Sequence, residues 1–214
     1  MKNAMDFDKL NQALNVASTP YSGHRIGARD AAHTLEFYVD FTCPFSRRIF
    51  NTLTKEVIPN IRAKFGDSVQ FILRHQVQPW HPQSTLLHEA SLAAEKVDPK
   101  KFLAYAEKLF DVQRDYFDEA CHNQSRTQMY QSLADHAAFI GINREEFLAY
   151  LSIPNTEPRN KGNKIHEDLK YHIKLARQNG IHVSPTVLFD GIIDSTVSSS
   201  WGLNEWRNWF QTKL

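Results

Sequence analysis

Apolar residues along the chain switch between a period of two and a period near four, and the switches mark the elements. Thr34–Val39 (Thr-Leu-Glu-Phe-Tyr-Val) is rich in β-branched and aromatic residues and reads as a strand. Alternation puts Leu35, Phe37 and Val39 on one face and Glu36, Tyr38 and Asp40 on the other. From Phe45 to Lys64 the apolar positions Phe45, Ile49, Leu53, Val57 and Ile61 define one helix face, with Pro59 a predicted kink. Gly66-Asp67 ends that helix, and Val69–Leu73, extending towards His75, reads as a second strand. Gln78-Pro79-Trp80-His81-Pro82 breaks the chain.

Helical periodicity then dominates from Gln83 to Leu151. It predicts helices over Ser84–Lys96, Pro99–Val112, Ser125–Phe139 and Arg144–Leu151, with Asp98 and Asn143 as N-caps. A further helix is predicted over Asn160–Gln178, stopped by Asn179-Gly180. His182–Phe189 reads as a strand containing Pro185, Asp190-Gly191 as a hairpin turn, Ile192–Val197 as an edge strand and Leu203–Thr212 as a terminal helix. Residues 1–30 read as a short helix, Phe7–Leu14, followed by a loop. The order is that of an α/β domain built from residues 1–78 and 160–214, with residues 79–159 inserted as a helical domain.

Composition narrows the function classes. The chain has 214 residues, 42% hydrophobic and 23% charged, as globular domains do. A net charge of +1 gives no field to recruit nucleic acid or an anionic membrane. Met1–Ala17 has no apolar core of a secretory signal, and no run approaches the roughly 18 apolar residues of a membrane helix. Two cysteines, Cys43 and Cys121, are too few for a disulfide framework. These features predict a soluble protein of a reducing compartment, the cytoplasm. The terminal Thr212-Lys213-Leu214 is only loosely similar to a peroxisomal tripeptide.

Cys43 carries the chemistry. It leaves the first predicted strand and precedes Pro44, which suits the first position of a helix. Unpaired N–H groups and the positive end of the helix dipole favour a thiolate there, and the thiolate is the nucleophile. Arg47 and Arg48 add to this if either faces the sulfur. The competing reading is an inert, buried cysteine at a strand end.

Asp40-Phe41-Thr42-Cys43-Pro44-Phe45-Ser46 after a strand resembles the active-site word of DsbA-like thioredoxin-fold oxidoreductases, usually C-P-x-C. Gly180-Ile181-His182-Val183-Ser184-Pro185-Thr186-Val187-Leu188-Phe189-Asp190-Gly191 is similar to the cis-proline strand and hairpin of that family. The resemblance covers about residues 30–212 and implies a thioredoxin fold with an inserted helical domain. It implies that Cys43 is the nucleophile and that Pro185 is cis. It also implies that Ser184, Pro44 and Phe45 flank an extended peptide or glutathione, with Trp80 and His81 near the same groove or packed at the domain interface.

One departure matters. Ser46 stands where the second cysteine is usual and cannot release a mixed disulfide. Cys43 then works as a monothiol with glutathione as co-substrate, or Cys121 resolves the adduct, or the chain is a non-catalytic peptide-binding module. Ser46 remains able to hydrogen-bond the sulfur from one turn on. The same word is also similar to S-P-[YF]-S of kappa-class glutathione transferases and related isomerases, in which the first residue activates glutathione. Partners are therefore glutathione or peptide and protein thiols. No resident cofactor is implied.

Weaker signals carry less. His75, His81 and His88 lack the convergent spacing of a metal site, so no metal is expected. Glu36 is either a solvated or helix-paired carboxylate or a buried acid near the cysteine. Cys121-His122 are sequence neighbours and do not face each other on a helix. Trp206 and Trp209 share one face of the terminal helix and are expected to pack on the sheet.

Overall fold

The computed structural model describes residues 23–214, so the predicted helix at Phe7–Leu14 lies outside the described residues. The sheet has five strands: β1 (His24–Ile26), β2 (His33–Val39), β3 (Val69–His75), β4 (Thr186–Phe189) and β5 (Ile192–Ile193). Their order is β1-β3-β2-β4-β5, with β2 and β3 parallel and the other pairs antiparallel. Val39 lies opposite His75 at one end of the parallel pair. The chain therefore leaves β2 at the same end as it leaves β3, and both exits lead to the site described below.

Leu35, Phe37 and Val39 are wholly buried on one face of β2, as the alternation requires. They share a core with Phe50, Leu53, Phe71, Trp206 and Phe210. Tyr38 on the opposite face packs with Ala176, Ile181 and Leu188. Both faces of the sheet are thus covered by helices, Pro44–Thr52 and Leu203–Lys213 on one side and His166–Gln178 on the other.

The crossover from β2 to β3 is α1 (Pro44–Thr52), a π-helical turn (Leu53–Val57) and α2 (Ile58–Phe65). The sequence predicted one helix kinked at Pro59. Pro59 has no N–H, and its ring crowds the carbonyl four residues back. The ladder widens just before it, where Ile58 N–H bonds Leu53 C=O, five residues back.

Between β3 and β4 come α3 (Ser84–Val97), α4 (Phe102–Asp111), α5 (Asp118–Cys121), α6 (Arg126–Phe139), α7 (Arg144–Leu151) and α8 (His166–Gln178); α9 (Leu203–Lys213) closes the chain. Asp98 accepts from Lys100 N–H and Asn143 from Glu146 N–H, as N-caps do. Ser125 and Gln128 form a reciprocal capping box at the start of α6.

Several boundaries differ from the sequence reading. β1 was not anticipated, because His24-Arg25-Ile26 is too short to show a period. The predicted helix over Asn160–Gln178 begins only at His166. Gly162 has a φ of +78°, outside helical backbone, and Asn163 Oδ1 caps Ile165 N–H. β4 starts at Thr186 rather than His182. The predicted edge strand to Val197 pairs only over Ile192–Ile193. Asp194 ends it by accepting from Thr196, Trp209 Nε1 and Lys213 Nζ. The Asp190-Gly191 turn has positive φ at both residues, +49° and +80°, as a tight hairpin requires.

Candidate active site

Cys43 is the N-cap of α1, with extended backbone (φ −84°, ψ 121°) and Pro44 at the first helical position. Proline has no N–H to lose there, so the word Cys-Pro turns the chain from strand to helix without breaking a hydrogen bond. The thiol donates to the carbonyl oxygen of Ser184 at 3.5 Å. The Ser184–Pro185 peptide bond is cis. The two words singled out in the sequence therefore meet at one point, though 141 residues separate them.

Cys43 is 5% exposed, while Phe45 and Val183 on either side of the contact are 54% and 56% exposed. The thiol is thus nearly buried, while exposed apolar side chains stand two residues after Cys43 and one before Ser184. Next to it is a cleft of about 210 Å³ lined by Thr42, Pro44, His81, Gln83 and the first residues of α5. Trp80 does not line that cleft. It is 58% exposed, so the expected domain-interface packing is not found.

Ser46 is wholly buried, and its hydroxyl oxygen accepts the Asp40 N–H at 3.2 Å. Ser46 and Cys43 make no hydrogen bond to one another. Of the two arginines one turn on, Arg47 lies 3.8 Å from Asp111, and Arg48 sits over the Phe45 ring. Cys121, 3% exposed, donates to Phe117 C=O at 3.2 Å, and burial pushes its thiol up. Both cysteines are free thiols.

Sequence reasoning missed the support beneath this site. Asp40 is wholly buried at the end of β2. One carboxylate oxygen accepts the N–H and hydroxyl of Thr42; the other accepts Gln78 N–H and the Ser84 hydroxyl, each at 2.8 Å. His81 Nδ1 lies 3.4 Å from the same oxygen. Asp40 thus joins the strand end, the active-site turn, the Gln78–Pro82 hinge and α3. The alternation gave the one available signal, since it put Asp40 beside Tyr38 on the face opposite Val39. Gln113 completes the support: its amide donates to Phe41 C=O at 2.9 Å and Cys43 C=O at 3.4 Å. Glu36, in contrast, is paired with Arg74 Nε at 2.6 Å on the neighbouring strand, a partner the sequence reading did not consider.

The three histidines weighed in the sequence do not stay together. His81 belongs to the active-site cleft, but His75 meets His88, His24 and His172 in the interior. His24 and His172 lie 51 and 97 residues from His75, so no local spacing could announce them.

Comparison with known proteins agrees with this architecture. Residues 18–206 match the family model described as Thioredoxin. The chain is 27% identical over 182 residues to a Na(+)/H(+) antiporter NhaA of Herminiimonas arsenicoxydans, covering 85% of this chain and 24% of that protein. It therefore spans about a quarter of the length of that relative. No described helix is long and apolar enough to cross a membrane. A structure described as a candidate protein-disulfide isomerase of Pseudomonas syringae superposes with a TM-score of 0.69 at 22% identity, covering 89% of this chain and 98% of that one. BdbD of Bacillus subtilis, in oxidised form, superposes with a TM-score of 0.64 at 20% identity, covering 91% and 94%. A thiol at the head of α1, a facing Ser184-Pro185 loop and a helical block between β3 and β4 accompany a family match over most of the sequence, and the chain belongs to the thioredoxin family.

Proposed function

We propose that the chain is a thiol–disulfide oxidoreductase in which Cys43 works as a monothiol with glutathione. The observation that carries this reading is the Cys43 thiol at the N-terminus of α1, 3.5 Å from the Ser184 carbonyl. The reaction needs two exchanges. The Cys43 thiolate attacks one sulfur of a disulfide, forming a mixed disulfide and releasing the other sulfur as a thiolate. A second thiolate, from glutathione, then attacks the mixed disulfide and returns Cys43 as a thiolate. Ser46 offers no sulfur for the second step, and the Cys121 thiol is turned to Phe117 C=O. That favours an external resolving thiol.

The exposed apolar side chains of Phe45 and Val183 suit a peptide disulfide whose flanking residues are apolar. The test is turnover of a glutathionylated peptide in the presence of reduced glutathione. The wild-type chain is expected to accelerate it, Cys121→Ser to match wild type and Cys43→Ser to lose the acceleration. Equal rates with wild type and Cys43→Ser would leave only a binding module.

A further inference from the structure

Four histidines from four elements meet in the interior: His24 on β1, His75 at the end of β3, His88 on α3 and His172 on α8. Each is at least 94% buried. Four imidazoles are costly to bury unless their polar atoms find partners. His24 Nε2 and His75 Nε2 point at each other at 2.7 Å. Their remaining nitrogens are held from behind: His24 Nδ1 by Glu95 Oε1 at 3.0 Å, and His75 Nδ1 by His88 Nδ1 at 2.7 Å. His172 lies near both rings, tilted against His75 with centroids 4.6 Å apart and near-parallel to His24 at 6.1 Å. Its Nδ1 is buried with no hydrogen-bond partner. One ligand nitrogen from each of His24, His75 and His172 lies within 4.8 Å of the others.

We propose that His24, His75 and His172 form a divalent-cation site of the zinc class, buried between the sheet, α3 and α8 and distinct from the Cys43 site. Three imidazole nitrogens are a recurrent ligand set for zinc. Ligands about 2.0–2.1 Å from a tetrahedral ion stand roughly 3.3 Å apart. The His24–His75 pair must therefore spread by roughly 0.6 Å, while wider pairs draw in. Ligating histidines characteristically donate their other N–H to a carboxylate or another acceptor, and Glu95 and His88 occupy those two places. Binding balances without loss of a proton: the proton between the two Nε2 atoms moves to His75 Nδ1, and the His88 proton moves to His88 Nε2. That last atom has no partner in the unbound arrangement.

The test uses the full chain, stripped with a chelator and titrated with zinc chloride. Bound zinc is counted after gel filtration and the thermal midpoint is followed. One zinc per chain and a raised midpoint are expected. Cys43→Ser and Cys121→Ser are expected to keep the zinc, His172→Gln to lose it, and Glu95→Gln to weaken it by about 10–100-fold. Cobalt(II) substitution should give a visible spectrum with no thiolate charge-transfer band. A folded wild-type chain that retains no zinc, or zinc that leaves with Cys43→Ser, overturns the proposal. The wild-type measurement decides even if the histidine variants fail to fold.

Discussion

The thiol of Cys43 is turned toward the carbonyl of Ser184, 3.5 Å away and 141 residues along the chain. The contact exists because the turn after β2 and the loop before β4 reach the same end of adjacent strands. Its precision depends on buried polar groups beneath it, which can be tested one at a time.

Asp40 should be the most sensitive of these. Asn in its place keeps the shape but loses one acceptor oxygen and sets an NH2 against donors from Thr42 or from Gln78 and Ser84. Asp40→Asn is expected to cost about 2–4 kcal/mol in denaturant unfolding. A loss within experimental error would mean that the carboxylate does not organise the turn.

Gln113 ties the helical insertion to the active-site loop through Phe41 and Cys43 carbonyls. Gln113→Ala should cost about 1–3 kcal/mol. It should also raise the alkylation rate of Cys43, because the loop that shields the thiol loses its anchor. Unchanged alkylation alongside lowered stability would confine Gln113 to a structural role.

Ser46→Cys tests whether chemistry is limited by the missing second thiol. Positions three apart at a helix start are near enough for a disulfide. Oxidation of this variant should remove both thiols in labelling assays and make peptide-disulfide exchange less dependent on added glutathione. The substitution also weakens the bond to Asp40 N–H, a cost of about 1 kcal/mol. Persistent labelling of Cys43 after oxidation would show that the geometry does not allow the pair to close.

Asp194 gives a pH signature away from the thiol. Burial alone would raise its pKa, but hydrogen bonds from Thr196, Trp209 and Lys213 hold it at about 2. Its ordinary value is 3.8, so the ionised form is favoured by folding. The contribution is complete above about pH 4 and is lost as pH falls towards 2. Asp194→Asn should therefore be less stable than wild type at pH 7, by about 1 kcal/mol after allowance for solvent screening. The gap should close near pH 2. A gap independent of pH would assign the effect to packing.

Local pattern carried much of the fold. The β2 alternation, the Cys-Pro helix start and the helix run from Ser84 to Leu151 can all be read from neighbouring residues. Other features depend on distant partners. β1 is three residues long and is recognisable only once it pairs with β3. The π-turn before Pro59 reflects a missing N–H that a periodicity count does not register. In the site, Cys43, Ser184 and Pro185 were legible because each sits in a short word. Asp40, Gln113 and the histidine cluster were not, because their meaning lies in partners tens of residues away. Trp80 shows the reverse error: a large aromatic suggested packing, and the side chain lies in solvent.

Exchange of the Cys43 thiol with a disulfide from outside the chain can be read by peptide mapping with mass spectrometry after brief exposure to oxidised glutathione. One glutathionyl group is expected on Cys43, removed by reduced glutathione, with Cys121 unmodified. A chain that stays unmodified, or carries the adduct on Cys121 alone, would contradict exchange at Cys43.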